Sequence, residues 1–362
     1  MTVPSEQPAR VPDSPATRWH PVPVPPPSER ARAEALQRFA ALATPAGALG
    51  RLQHLGAWLA ACQGSCPPEP LQRVRAVVPA GDHGVVRSGV SAYPAAVTPA
   101  MVRALVSGVA GMSVLAAQHG VPVRVLDISV DDDLADVPAE VRAHKLGRSC
   151  GAIDVEDAAS LDATREALAV GERVAAEEVA AGAQLLVVGD LGSGNTTPAA
   201  ALVAHLLDLP AAEVTGPGSG LDEAGRARKA TVVQRAVDRA AGVTDPLARL
   251  AALGSPDLAV AAGIQLGAAR AGVPVLLDGA ISVAEALVAE SLAPGVRAWF
   301  AAGHRSPEPA QAHALAALDL EPVLDLGLRL GEGSGAMAAL PLLRSAVRLL
   351  RDVALLEDLL PS

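Results

Sequence analysis

Apolar and polar positions along this chain follow one rhythm at its two ends and another between them. From residue 29 to residue 63 apolar side chains recur every three or four positions. That spacing predicts two amphipathic helices, from Glu29 to about Leu42 and from about Arg51 to Cys62. Leu52, Leu55, Trp58 and Leu59 share one face of the second, and Thr44-Pro45-Ala46-Gly47 supplies the turn between them. From Arg73 onward short apolar runs alternate with Ala-rich helical stretches. The runs are Val74–Val78, Val121–Val130, Gln184–Val188, Pro274–Leu277 and Val296–Ala301, the last interrupted by Arg297. Short, mostly apolar runs of this kind, several followed by Gly or Asp, fit parallel strands covered on both faces. The alternation predicts an α/β fold, a Rossmann-like parallel sheet flanked by helices, with right-handed crossovers. The stretch from Leu340 to Leu360 reads as an amphipathic helix carrying Leu342, Leu343, Val347, Leu350, Val353 and Leu356. Residues 29–72 and 340–362 are therefore expected to form a small helical subdomain beside a large α/β domain, residues 73–339. Residues 1–28 are Pro-rich, so they are expected to be extended or disordered and to carry no chemistry.

Composition narrows the function classes. The chain has 362 residues, half of them apolar and only 2% aromatic, so its core has to be built from Ala, Val and Leu. Net charge is −10 with no long basic run, which excludes wholesale nucleic-acid binding. A small anionic substrate stays open, because a few backbone amides hold one phosphate locally. Cys62, Cys66 and Cys150 lack a metal-ligand spacing and read as packing residues. The apolar stretch 259–277 is broken by Gln265 and Arg270, and the N-terminus lacks a basic region followed by an apolar core, so export is not expected. These features lead us to expect a cytoplasmic protein with no membrane partner.

Ligands of open α/β sheets gather beyond the carboxyl ends of the strands. Three polar motifs fall there: Gly81-Asp82-His83-Gly84, Gly189-Asp190-Leu191-Gly192-Ser193-Gly194-Asn195-Thr196-Thr197, and Leu277-Asp278-Gly279. The loop 189–197 precedes a helix, so its glycines and the side chains of Asn195, Thr196 and Thr197 could receive a phosphate at a helix start. A tight strand–helix turn capped by Asn or Thr has the same sequence signature, and both readings stand. The loop is neither a Walker loop nor a dinucleotide fingerprint. Asp82 and His83 read either as cleft residues or as a turn with a capping Asp, and His304 could also face the cleft. No second His or carboxylate lies at helical metal spacing from these, so no metal is expected. Lys229 belongs to Arg226-Ala227-Arg228-Lys229, an exposed face in the ordinary reading. The flexible Gly216-Pro217-Gly218-Ser219-Gly220 before it makes an anion-binding role possible for the lysine. Finally, Gly331-Glu332-Gly333-Ser334-Gly335 holds a lone carboxylate between glycines just ahead of the last helix. Glu332 is a candidate general base, or else an acidic residue in a helix's first turn.

Taken together and in order, these segments resemble the nicotinate-nucleotide:dimethylbenzimidazole phosphoribosyltransferase family of cobalamin lower-ligand assembly. The resemblance runs from about Thr44 to Leu356 and includes Pro45-Ala46-Gly47-Ala48-Leu49-Gly50-Arg51-Leu52, Gly81-Asp82-His83-Gly84 and Gly89-Val90-Ser91-Ala92-Tyr93-Pro94. Further along it includes Gly192-Ser193-Gly194-Asn195-Thr196-Thr197, Val275-Leu276-Leu277-Asp278-Gly279 and Arg329-Leu330-Gly331-Glu332-Gly333-Ser334-Gly335-Ala336. The resemblance implies transfer of phosphoribose from nicotinate mononucleotide to dimethylbenzimidazole by a homodimer, with no cofactor. It implies Glu332 as general base. It implies nucleotide and phosphate contacts from Asp190, Gly192, Gly194, Asn195, Thr196, Lys229, Gly331, Gly333, Ser334 and Gly335. Tyr93, Met101 and Leu330 would line the base pocket, and Asp82, His83, Asp278 and His304 would line the cleft without an assigned role. The family often has Glu where this chain has Asp190. A non-catalytic nucleotide- or base-binding protein of the same fold, or transfer to another base such as adenine, are the alternatives.

Overall fold

The computed structural model describes residues 19–360. Its centre is a sheet of five parallel strands: β1 (Val74–Gly81), β2 (Val123–Ser129), β3 (Leu185–Val188), β4 (Val275–Leu277) and β5 (Phe300–Ala302). They lie in the order β2-β1-β3-β4-β5, and every neighbouring pair is parallel. The chain leaves β1 for β2 on one side and returns to β3 on the other. That reversal opens a crevice at the carboxyl ends of β1 and β3, where ligands of such sheets bind. The α/β fold with a helix-flanked parallel sheet is thus as the sequence implied.

Each expected strand exists, with altered bounds. The last differs most: Val296–Trp299 form a short 3₁₀ turn, and only Phe300–Ala302 are extended. Gly295, in the left-handed region at φ 93°, starts that turn. The scarcity of aromatics is met by close backbone approach. Helices Leu161–Ala180 and Pro256–Arg270 cross so tightly that a methyl on Gly171 would strike the Val260 carbonyl.

Helices Glu29–Ala41 and Arg51–Gln63 form as expected, and with the C-terminal helix they enclose a small separate apolar cluster. It contains Ala35, Phe39, Leu42, Ala57, Ala60 and Leu350. The C-terminal helix itself runs from Ser334 to Asp352. The expected boundary at residue 340 therefore falls inside it, and its first half, including Ala336, Met337 and Leu340, joins the main core. A short final turn covers Leu356–Leu359.

Of the Pro-rich segment, residues 1–18 lie outside the described residues. Residues 19–28 have no regular element, but they are strapped across the sheet's helices. The Trp19 indole donates to Glu172 at 2.8 Å, and Trp299 donates to the Pro25 carbonyl at 2.8 Å.

One apolar stretch was not singled out from the sequence. Val97–Gln118 is, among the described residues, long and apolar enough by composition to cross a bilayer. It is broken into two helices, Val97–Val106 and Gly111–Gln118, by a turn at Gly108, and only a third of it is buried. Val109 and Val114 stand on the surface.

Candidate active site

The Gly-flanked carboxylate sits in an unusual backbone. Gly331, Glu332 and Gly333 all have positive φ, at 82°, 64° and 94°. For the glycines this is free, but a left-handed Glu costs about 1–2 kcal/mol. Non-glycine residues held this way cluster at functional sites. The turn is tied down on both sides. The Glu332 amide donates to the Asp190 carbonyl at 3.2 Å, and the Gly333 amide donates to Asp278 Oδ2 at 3.2 Å. Asp278 Oδ1 also accepts from the Ala336 amide at 2.9 Å, which caps the helix beginning at Ser334. Glu332 precedes that helix rather than lying in its first turn.

The Glu332 carboxylate is 4% exposed and accepts from the Met112 amide at 3.4 Å. Burial pushes its pKa above the ordinary Glu value. The Met112 amide acts against this shift and Asp278 adds to it. Asp190 is pushed further, well above the usual carboxylate range, by burial and then by Asp278, Asp257 and Glu332. Its Oδ2 accepts from the Asn195 side chain at 2.7 Å.

Glu332 opens into a cleft of about 450 Å³ at the carboxyl ends of the strands. Its apolar lining is Tyr93, Val97, Met101, Ile281 and Leu330, and its polar lining includes Asn195, Thr196, Ser219, Ser306 and Glu308. Thr196, Glu308 and the Gly218 loop gather around Lys229 and form a polar end, while Tyr93 and Val97 lie beside Asn195, Thr196 and Ser219. Asp190, Gly192, His304, Gly331 and Glu332 lie along the cleft as well. Gly194 lines a smaller hollow that adjoins it beside Ser91 and Tyr93. Lys229 is fully buried behind the polar end, where its Nζ donates to Thr196 Oγ1 at 2.8 Å. Burial draws its pKa down to about 8, with Glu308 pulling the other way. The arrangement can bind an anionic group at the polar end and a flat ring against the apolar residues, with a carboxylate of the same cleft able to take a proton.

Some residues expected in the cleft lie behind its wall. The Asp82 carboxylate is turned to the Asp131 amide, 2.9 Å away. His83 lies beneath the phosphate-type loop, with Nδ1 3.1 Å from the Ser193 carbonyl oxygen. Asp278 is fully buried on the helix cap described above. Gly333, Ser334 and Gly335 are also inside: Gly333 packs on Met112 and Val187, and Gly335 packs on the His304 ring. For the two carboxylates the reason is shared: a strand end or helix start has many unpaired backbone amides, and nearby carboxylates turn to satisfy them.

Other cleft residues were not picked out from the sequence: Val97, Ile281, Ser306, Glu308 and Arg329. Ile281 follows the Asp278-Gly279 motif, and Ser306 and Glu308 follow His304 at the end of β5, so strand-end position was the available signal. Glu308 Oε1 accepts from the Gly218 amide at 2.7 Å and pins the glycine-rich loop at the cleft's polar end.

A parallel sheet with a nucleotide-sized cleft at its switch point, an anion-ready loop and a buried carboxylate held in a left-handed turn define a group-transfer site of the nucleotide-binding α/β class. The family described as phosphoribosyltransferase (DBI_PRT) matches residues 24–359, and the chain belongs to that family. A nicotinate-nucleotide–dimethylbenzimidazole phosphoribosyltransferase of Mycolicibacterium paratuberculosis is 51% identical over 332 residues, 91% of this chain and 95% of that one. A protein of the same name from Corynebacterium efficiens is 48% identical, over 92% of this chain and 89% of its own length. The crystal structure of CobT from Thermus thermophilus superposes with a TM-score of 0.87 at 43% identity, covering 91% of this chain and 98% of that one.

Proposed function

We propose that this enzyme transfers the phosphoribosyl group of nicotinate mononucleotide to 5,6-dimethylbenzimidazole, giving α-ribazole phosphate and nicotinate for the cobalamin lower ligand. The observation that carries the reading is Glu332, a buried carboxylate in a cleft that has both polar and apolar lining. The name carried by relatives at about half identity supports the substrates.

The chemistry follows from the ligands. Nicotinate mononucleotide carries a cationic pyridinium, so breaking its bond to C1′ returns an electron pair to a nitrogen that becomes neutral. The bare ring nitrogen of dimethylbenzimidazole forms the new bond to C1′ from the opposite face, which inverts the centre to the α-riboside. The second ring nitrogen then holds an acidic N–H, and Glu332 takes that proton. Phosphate is received by Thr196, Asn195 and the loop glycines, with Lys229 behind them. Holding the two substrates in line contributes as much as the base does. In a coupled assay we expect one nicotinate released per ribotide formed, and none without the base. Nicotinate release independent of dimethylbenzimidazole would refute the transfer.

Base selection rests on the apolar end. Tyr93 offers a flat face, and Met101 a thioether that fills gaps around methyl groups. Each buried methyl is worth about 0.8 kcal/mol, so two favour dimethylbenzimidazole over benzimidazole by roughly tenfold. Competition for limiting nucleotide, read by chromatography of the ribotides, gives the ratio. A ratio near one, unchanged in Met101→Ala, would remove these residues from the pocket.

We also read the enzyme as a homodimer. Tyr93 and Leu330, in the apolar lining, are 55% and 57% exposed in a single chain, and the exposed Val109 and Val114 lie in the turn and on the second helix of the pair that begins at Val97 in the cleft wall. A second copy would cover this face and shield the base. Light scattering is expected to give twice the chain mass, with Val109→Asp shifting it toward one. A monomeric native protein would overturn this.

A further inference from the structure

A buried histidine under the phosphate-type loop has no part in the chemistry above. The His83 side chain is 1% exposed; Nδ1 has a hydrogen-bond partner, and Nε2, which has none, lies within ion-pair distance of a carboxylate. Nδ1 lies 3.1 Å from the Ser193 carbonyl oxygen, and Nε2 lies 3.4 Å from Asp257 Oδ2. A neutral imidazole donates from one nitrogen only, so beside an ionised Asp257 the doubly protonated ring is the form that answers both neighbours. Asp257 suits the role of counter-ion. It stands in the first turn of helix Pro256–Arg270, behind the Ser255 cap, where the helix favours an anion. The other titratable groups around the ring are Asp82 on its own loop, Asp190 at the end of β3, and Cys150 on the loop packed against Gly84. Burial pushes the Cys150 thiol up to about 12, so it stays neutral. For His83 itself, burial pulls the pKa down, but Asp257, the Ser193 carbonyl and Asp82 outweigh it and leave it above the ordinary value.

The ring is also the floor of the loop. A Cβ on Gly192 would lie 2.8 Å from His83 Cε1 and 3.2 Å from Nδ1, so only glycine lets the loop settle on the imidazole. From the other side, the Ser193 amide donates to Thr98 Oγ1 at 3.0 Å. Ser193 is therefore gripped at both its amide and its carbonyl, and Asn195 and Thr196, just beyond Gly194, face the cleft.

We propose that His83, held as an imidazolium by Asp257, is a positioning residue that clamps the Ser193 carbonyl and so sets the loop Gly192–Thr196 for the phosphate of the nucleotide substrate. The role rests on the phosphoribosyl-transfer reading for the identity of that substrate. Removing the Asp257 charge loosens the loop at its phosphate-binding side, and reaches the residues proposed for the base more weakly, through Ser193 Oγ, which donates to the Tyr93 carbonyl at 3.3 Å. A charge-assisted hydrogen bond of this kind is worth about tenfold or more in an equilibrium.

Nitrogen NMR of the intact protein at neutral pH, with His83 assigned by its loss in His83→Asn, is expected to show both ring nitrogens protonated, and a neutral ring in Asp257→Asn. Calorimetry is expected to show Asp257→Asn binding nicotinate mononucleotide about tenfold or more weakly, with dimethylbenzimidazole affinity changed less than threefold. A neutral His83 in the native protein, or equal losses for both ligands, would overturn the proposal, and the NMR result needs no folded variant at Asp257. Failure of the native protein to bind nicotinate mononucleotide at all would instead contradict the substrate reading, while the NMR still decides the state of His83.

Discussion

Glu332→Gln is expected to slow single-turnover transfer by about 10²–10⁴-fold, the usual worth of a general base, with nicotinate mononucleotide affinity unchanged. Gln keeps the size of the side chain and can still accept from the Met112 amide, so the left-handed turn has no new reason to move. What it lacks is the negative charge that takes the benzimidazole proton. The same group sets a pH limb. Burial raises the Glu332 pKa, so the carboxylate is protonated, and the base lost, as pH falls through a value above the ordinary Glu range. The native rate is therefore expected to fall on that acid side, and the limb is expected to be absent in the Gln variant. A loss below about threefold, against the 10²–10⁴ expected, would sink the assignment.

Lys229→Ala is expected to weaken nicotinate mononucleotide by about 10–100-fold, the range for a charged hydrogen bond, and dimethylbenzimidazole by little. Only the nucleotide carries a phosphate. The fully buried Nζ reaches Thr196 Oγ1 at 2.8 Å from behind the cleft, so the substitution removes both a charge and the support of a contact residue. Burial has also drawn the lysine to about 8. Its charge is present below that pH and lost above it, so nucleotide affinity is expected to decline as pH rises through that region. Calorimetric titration with each ligand checks both. Equal losses for the two ligands would point to a general structural defect.

Much of this was legible in the sequence, and the limits have physical causes. The sheet was legible because its strands are buried on both faces and read as apolar runs. The 3₁₀ turn at Val296–Trp299 was not, because such a turn is as apolar as a strand here. Glu332 stood out because glycines flank it, and the positive φ on all three residues is why the glycines are there. The direction in which a side chain turns was not legible. Asp278 and Asp190 both follow a strand, yet one caps the helix from Ser334 and the other faces the cleft. Lys229 looked like part of an exposed basic face, marked only by the glycine-rich loop before it and by the resemblance, because burial of a lysine depends on the loops folded over it. Asp257 went unnoticed, since its partner His83 is far away in the sequence and only the fold brings them to 3.4 Å. Exposed apolar residues such as Val109 resemble core residues until the packing shows which face is left bare.

The most direct test of the account is a structure with dimethylbenzimidazole bound. The ring is expected between Met101 and Leu330, with its N–H within about 2.6–3.2 Å of a Glu332 carboxylate oxygen. The opposite ring nitrogen is expected to face the polar end that holds Asn195 and Thr196. A base bound outside this cleft, or bound within it with both nitrogens turned away from Glu332, would contradict the account.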